Sequence, residues 1–448
     1  MSWRTYKFGD FLHRSKIPID IEDGQEYKRV TIKTKHQGVS VRDTEKGKKI
    51  GTKKQFVLKA GQFVLSKIDA RYGAFGIAPD EVDGAIITGN FWAYDVDFSI
   101  INIEWFNQFT NSQDFYDVCE RASSGITHRK YLNEDFFLNY EIELPDVKEQ
   151  LQIVEEFKKN KITIEFQSTE LTHQLDLVKQ LRQAFLREAM QGKLVPRNPN
   201  DEPASVLLEK IKAEKERLIK EKKIRKGKLQ EAETLDELLF DIPNHWVWCK
   251  LDSICKNITD GTHQTPTYTK SGRMFLSAQN VKPFRFMPEE HKFVSEEAYQ
   301  GYIKNRKPER GDLLIGRVGA GIGETAVIDQ DLDFCIYVSL GLVQPFKEYV
   351  DSNYLAYVFN SPYGYSYAKG NISSKGGSAG NFNLGRIRSF LIPFPPLSEQ
   401  QRIVTKLDEL MAHCDELEVS IKESQQQNEL LLQQMLREAL EPESAILA

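Results

Sequence analysis

Two stretches of the chain place apolar residues at alternating spacings close to a heptad. From Glu149 to Met190 these are Val154, Phe157, Ile164, Leu171, Leu175, Val178 and Phe185. From Glu399 to Leu440 the corresponding positions are Val404, Leu407, Cys414, Ile421, Gln425, Asn428 and Met435. Each segment has 42 residues with no internal Pro or Gly, so each predicts a helical rod of about 60 Å at about 1.5 Å per residue. Equal length and register predict an antiparallel coiled-coil pair, in which the polar Gln425 and Asn428 weaken the seam but fix its register. Two separate amphipathic surface helices would satisfy the same pattern.

Outside the rods the pattern shortens. Runs such as Gln62–Ser66 and Ala85–Thr88 read as strands, Ile103–Cys119 as one aromatic helical stretch, and Gly61, Gly73, Gly76, Gly84 and Gly89 punctuate them. The order recurs later, with strand-like Asp312–Ile315 and Cys335–Val338 followed by a helix from about Ser352 to Asn360. The fold class is α+β: two tandem domains of mixed α/β content separated by two long helices.

The recurrence is an internal repeat with a shift of 250 residues. Lys59-Ala60-Gly61-Gln62-Phe63-Val64-Leu65-Ser66-Lys67 falls on Glu309-Arg310-Gly311-Asp312-Leu313-Leu314-Ile315-Gly316-Arg317, and Leu186-Arg187-Glu188-Ala189 on Leu436-Arg437-Glu438-Ala439. The match is clear in the strand-Gly segment and faint elsewhere. The expected organisation is a first domain over 1–144, a first long helix over 145–191, a connector over 192–245, a second domain over 246–394 and a second long helix over 395–448. A pseudo-twofold molecule of this plan reads two similar objects at a fixed distance. In the connector, Pro196, Pro199 and Pro203 break the rod, and Ser205–Gln230 reads as a charged helix, either a solvated spacer or a strip along phosphates.

Composition changes this picture little: 40% hydrophobic and 11% aromatic residues belong to a folded soluble protein. No apolar run approaches the roughly 18 residues of a membrane span, and Met1-Ser2-Trp3-Arg4 opens no signal peptide, so the expected location is cytoplasmic, with no membrane partner. Cys119, Cys249, Cys255, Cys335 and Cys414 form no CxxC or Cys/His cluster, which indicates neither a disulfide framework nor a zinc site. Charge matters more. The net value of −5 argues against a polyanion, yet Lys28–Lys59 holds eleven Lys or Arg against Asp43 and Glu45 alone. Ser352–Ser398 holds Lys369, Lys375, Arg386 and Arg388 with no acid. Local sign decides whether one face can bind nucleic acid, although Lys-rich loops are often merely solvated.

Two motifs tempt and fail. Gly321-Ile322-Gly323-Glu324-Thr325-Ala326 matches GxGxxA, but Val327-Ile328-Asp329 opens no helix to face a pyrophosphate, so it reads as a glycine-rich β-turn. Pro145-Asp146 with Glu156 and Lys158 imitates a nuclease signature, but Glu156 and Lys158 fall inside a predicted rod, where carboxylates cannot meet on adjacent strand ends. No Asn-Pro-Pro-Tyr or Asp-Pro-Pro-Tyr segment occurs. The chain carries no recognisable catalytic, cofactor or metal constellation.

Leu144-Pro145-Asp146-Val147-Lys148-Glu149-Gln150 and Ile392-Pro393-Phe394-Pro395-Pro396-Leu397-Ser398-Glu399-Gln400, set in this tandem plan, resemble the specificity subunits of type I restriction-modification systems. Gln183–Val195 is similar to the end of that family's central helix, and Thr259-Asp260-Gly261-Thr262-His263-Gln264-Thr265-Pro266 to the start of its second target-recognition domain. The resemblance covers the whole chain. It implies two target-recognition domains, each reading half of a split sequence in double-stranded DNA, with the helices as a ruler. It also implies two modification (methyltransferase) subunits that bring S-adenosylmethionine, and restriction subunits that bring ATP, Mg, translocation and cleavage. The chain itself would be a non-catalytic reader. The rival reading is a coiled-coil assembly protein whose globular ends bind protein.

Candidate DNA contacts are polar and basic loop residues. In the first domain they are Lys35, His36, Gln37, Arg42, Lys46, Lys48, Lys49, Lys67, Arg71, Tyr72, Ser123, Ser124, His128, Arg129 and Lys130; in the second, Thr262, His263, Gln264, Tyr268, Gln279, Asn280, Lys282, Arg317, Ser373, Ser374 and Lys375. Lys and Arg hold phosphates, while Gln and Asn can pair with adenine and Arg with guanine. Lys53 and Lys54 extend the lysine cluster at Lys46–Lys49.

Overall fold

A computed structural model describes residues 3–124, 130–224, 240–373 and 380–440. The chain divides into two compact units, Met1–Thr172 with Lys422–Ala448, and His173–Ile421.

The first unit carries an antiparallel four-stranded sheet in the order Leu12–Ser15, Phe91–Val96, Phe63–Ser66, Phe75–Ile77. The helix Ile103–Thr110 and its neighbour Gln113–Arg121 pack with it around an aromatic core that includes Phe8, Phe11, Phe63, Phe75, Phe106, Phe115 and Phe137. Burying each such ring contributes about 1.5–3 kcal/mol. The single helix expected over Ile103–Cys119 is therefore two. Asn111 and Ser112 interrupt it, and Ser112 caps the second helix by accepting from the Phe115 N–H. A five-stranded sheet of Pro18–Asp20, Lys54–Val57, Ile86–Ile87, Glu26–Ile32 and Val39–Lys46 completes the unit's globular part.

The second unit repeats the four-stranded sheet as Cys255–Asp260, Leu340–Pro345, Leu313–Gly316 and Thr325–Val327. The helix Ser352–Asn360 stands as expected, followed by Pro362–Gly370. Gly321–Glu324 forms the turn into strand Thr325–Val327, with Gly323 at φ +88°, so the GxGxxA match is a β-turn. The repeat reaches further than the sequence match. Asn102, Ser112 and Asn133 cap helices in the first unit, and Asp351, Ser361 and Asn383 cap their counterparts in the second. The pairings Arg4–Lys7 with Glu141–Leu144 and Val247–Lys250 with Leu391–Phe394 likewise correspond. Where the first unit has its five-stranded sheet, the second has Lys292–Val294, Arg273–Leu276 and Phe334–Ile336, a hairpin of Val281–Lys282 with Arg285–Phe286, and a helix, Glu296–Ile303.

The long helices span Val147–Met190 and Leu397–Leu440, 44 residues each. Val154, Phe157, Ile164 and Val178 of the seam are buried on the first; Val404, Leu407, Cys414 and Ile421 are buried on the second. The helices pack antiparallel. In the first unit the Gln425 amide donates to the Thr172 hydroxyl at 3.2 Å, and Leu440 joins the core that holds Val154. In the second, the two terminal nitrogens of Arg182 meet Asp415 at 2.6 Å and Glu418 at 2.9 Å. Glu156 and Lys158 lie on the first of these helices, away from any strand end.

The connector helix is shorter than the charged run, Ala204–Lys220, and Lys222 leaves it with φ +56°; residues 225–239 lie outside the described part. It is no solvated spacer. Ala204, Leu207 and Ile211 are buried in the second unit's core, and Lys215 binds the Asp252 carboxylate at 3.3 Å. Arg217 is taken up by Glu214 and Glu221, and Lys210 by Glu202.

Candidate nucleic-acid interface

In both units, loops that carry candidate residues gather at one end of the four-stranded sheet. In the first unit the Lys67–Ala74 segment leaves strand Phe63–Ser66 there, and the turn between strands Glu26–Ile32 and Val39–Lys46 folds against it. The Lys35 N–H donates to the Tyr72 carbonyl at 2.7 Å and the His36 N–H to that of Gly73 at 3.0 Å. Lys35 and His36 both hold left-handed φ, +58° and +52°, which the hydrogen bonds stabilise. Gly73 must be glycine: φ is +80°, and a Cβ would strike the Tyr116 hydroxyl. The half-buried His36 ring places Nε2 2.9 Å from the Thr110 hydroxyl, and burial pushes its pKa below the usual value. Strand Ser123–Ser124 pairs with Tyr131–Leu132, and the Leu132 N–H donates to the Lys67 carbonyl at 2.7 Å. Lys67 Nζ lies 5.5 Å from the Tyr131 ring centre and the Arg71 guanidinium 4.6 Å from that of Tyr72.

These contacts bring Lys35, His36, Lys67, Arg71, Tyr72, Ser123 and Ser124 together, with Gln37 exposed on the same turn. Lys130 is held by Glu120 at 2.7 Å. Lys46, Lys48 and Lys49 are elsewhere. Lys46 ends the strand whose other end, Val39, adjoins the turn, so about 23 Å of strand separates them at about 3.3 Å per residue. Around this second cluster Lys53 binds Asp23 at 2.5 Å and Lys49 binds Glu45 at 3.3 Å. Arg42 is exposed between the two sites. Asp43 is neutralised by two hydrogen bonds from Arg29, at 2.6 and 2.7 Å, which hold its carboxyl below the ordinary range.

In the second unit His263, Gln264, Tyr268, Gln279 and Lys282 are exposed. Lys292 Nζ lies over the Tyr268 ring at 4.2 Å, and Lys282 is 3.6 Å from Glu324. Three candidates expected on exposed loops are instead inside. Thr262 is buried, its N–H donating to Ile336 O and its carbonyl accepting from Val338 N. Asn280 is 1% exposed, its amide nitrogen donating to the Met287 and Glu290 carbonyls and its oxygen accepting from Ser277 N. Arg317 is 4% exposed and bonds Asp260 and the carbonyls of Phe382 and Val338. Side-chain hydrogen-bond demand explains Asn280 and Arg317, an amide and a fork ringed by carbonyls and drawn inward to satisfy them, while Thr262 is held inside by its backbone pairing with the Ile336–Val338 segment. His128, Arg129, Ser374 and Lys375 lie outside the described residues, as does the side chain of Ser373.

Sequence reasoning passed over Asp260, which Arg317 and His263 share, and Gln150 and Gln400, whose signal was their recurrence at the 250-residue shift. Among the described residues no group of three or more His, Cys, Asp or Glu could hold a metal ion, and no helix is long and apolar enough to cross a membrane. All five cysteines are free and buried, with burial raising each thiol's pKa.

A repeated loop-bearing sheet joined to a long helix defines a class of tandem recognition proteins. The family model for the type I restriction modification DNA specificity domain matches residues 2–176 and 243–426, and the chain belongs to that family. The chain is 32% identical over 252 residues to the type I restriction enzyme EcoAI specificity subunit of Escherichia coli, a match covering 54% of this chain and 41% of that protein. It is 24% identical over 380 residues to the EcoEI specificity subunit of the same organism, covering 73% and 63%. The matches thus span less than two thirds of the length of these curated relatives. Two solved structures share the fold at 18% identity. The HsdS subunit from Thermoanaerobacter tengcongensis gives a TM-score of 0.58 over 98% of this chain and 96% of that one. A chain from work on "complex assembly and conformational transition of the type I R-M system" gives 0.67 over 98% and 97%.

Proposed function

We propose that this chain is the DNA sequence-specificity subunit of a type I restriction-modification complex. Each globular domain reads one half of a bipartite site in double-stranded DNA, and the long helices set the gap between the halves. The observation that carries this is the repeat itself: one scaffold of sheet, capped helices and long helix occurs twice, while the loop-bearing insertions differ. A common frame with different loops suits two half-sites of different sequence.

The chain is not itself an enzyme. Two modification subunits supply methyl transfer with S-adenosylmethionine, and restriction subunits supply ATP- and Mg-dependent translocation and cleavage. The acidic residues of the second long helix, among them Glu409, Glu416 and Asp415, offer polar surface to those partners, and the complex acts on DNA in the cytoplasm. Incubating the purified chain with labelled S-adenosylmethionine and duplex DNA should give no methyl transfer, while adding the modification subunit should methylate a split site. Methyl transfer by the chain alone would overturn the reading, as would a complex that methylates without a split consensus.

A further inference from the structure

Resting on that reading, we infer that His263 reads a base in the second half-site and that Asp260 and Arg317 are the positioning residues that aim it. The side chain of His263 is 70% exposed, yet its Nε2 lies 3.1 Å from Asp260 Oδ2. That nitrogen is committed to the protein, while Nδ1 of this exposed ring has no partner among the described residues. Asp260 is itself held from below. Its side chain is 10% exposed and receives Nη1 of Arg317, whose own side chain is 5% exposed. The same guanidinium donates from Nε to Phe382 O at 3.0 Å, from Nη1 to Val338 O at 3.1 Å and from Nη2 to Asn381 Oδ1 at 3.4 Å. With every nitrogen engaged, Arg317 does not reach a base; it ties the end of strand Cys255–Asp260 to two neighbouring segments.

The backbone under His263 is equally constrained. Arg306 donates to the Asp260 and Gly261 carbonyls at 3.0 and 2.8 Å, Thr262 is bonded on both sides, and a Cβ on Gly261 would strike the Ile336 carbonyl. An exposed ring on a fixed backbone is preorganised for contact.

Its chemistry favours a base over a phosphate. Arg317 and Asp260 cancel in charge, so the pair beneath the ring adds no net attraction to a polyanion. With Nε2–H donated to the carboxylate, Nδ1 of the neutral tautomer is an acceptor, which selects an exocyclic amino group of adenine or cytosine at a base edge. The position 250 residues before Arg317 holds Lys67 instead, which lies over Tyr131.

The test uses the full chain complexed with its modification subunit, selecting bound sites from a random-sequence library at fixed salt. His263→Gln keeps a nitrogen that can reach Asp260 but lacks Nδ1. It should leave the first half-site intact and relax one position of the second, losing about tenfold in discrimination. Asp260→Asn and Arg317→Lys, which lacks the planar fork, should relax the same position. An unchanged second half-site in His263→Gln overturns the inference. So does uniform loss of affinity for all sequences with a shallower salt slope, which would make His263 a phosphate contact. Equal weakening of both half-sites by Arg317→Lys would reduce it to a structural residue. Should Arg317→Lys not fold, His263→Gln, a surface change, decides alone. A wild-type complex that selects no split site would instead sink the underlying reading.

Discussion

The side chain of Gln150 accepts the backbone N–H of Asn102 at 2.7 Å, binding the start of the first long helix to the residue that caps an aromatic core helix. Its amide nitrogen donates to the carbonyls of Ile100 and Pro145 at 3.1 and 2.8 Å. Gln400 repeats the arrangement, accepting from Asp351 N at 2.9 Å and donating to Pro395 O at 2.9 Å. Both side chains are fully buried. In each unit one glutamine fastens a recognition domain to its rod.

Replacing Gln150 by Leu leaves an N–H and carbonyls without partners in a dry site. Since each orphaned group costs about 1–3 kcal/mol, the variant should lose at least about 2 kcal/mol, and Gln400→Leu a similar amount. Urea denaturation followed by circular dichroism measures this. Wild-type midpoints in both variants would mean that the fastening is inconsequential.

His36 makes the first reading surface sensitive to pH. Burial lowers its folded pKa below the unfolded value of about 6.5. Stability from the neutral ring is therefore fully present above about pH 6.5 and is lost as pH falls through the lower folded value. Hydrogen exchange at Lys35 and His36, whose N–H groups bond the Tyr72 and Gly73 carbonyls, should accelerate in acid beyond its intrinsic trend. His36→Asn should remove that excess; an identical profile in the variant would exonerate the histidine.

Lys46, Lys48 and Lys54 are exposed at the far end of the β-hairpin. If this cluster follows the DNA backbone, Lys48→Ala should weaken binding to every sequence alike. The slope of log K against log salt should become shallower by about one unit. A slope equal to wild type would put the cluster off the DNA and confine contact to the turn at Lys35–Gln37.

The helices of 44 residues make the gap between half-sites a matter of length. Inserting seven residues into each, at matched positions, preserves the seam and adds about 10 Å at about 1.5 Å per residue, or about three base pairs at about 3.4 Å each. Half-sites should persist while the nonspecific gap lengthens, as methylation mapping of the reconstituted complex would reveal. Altered half-sites with an unaltered gap would move specificity into the rods.

The sequence alone determined the repeat, the class of fold and the seam. Periodicity is a local, additive signal: Val154, Phe157 and Ile164 recur at helical spacing because one face is buried, and Val404, Leu407 and Cys414 echo them 250 residues later. Turn chemistry was legible for the same reason, as at Gly323. Tertiary structure decided which polar residues face outward. Arg317 and Asn280 look from the chain like loop residues, but carbonyls contributed by segments such as Val338, Phe382 and Met287 draw them inside. Lys35 and Lys46 look like members of one basic run, yet a strand sends them to opposite ends. Such outcomes depend on hydrogen-bond partners distant along the chain, which no local pattern encodes. That is why the scaffold could be read from order and spacing, while the orientation of His263 over Asp260 required the fold.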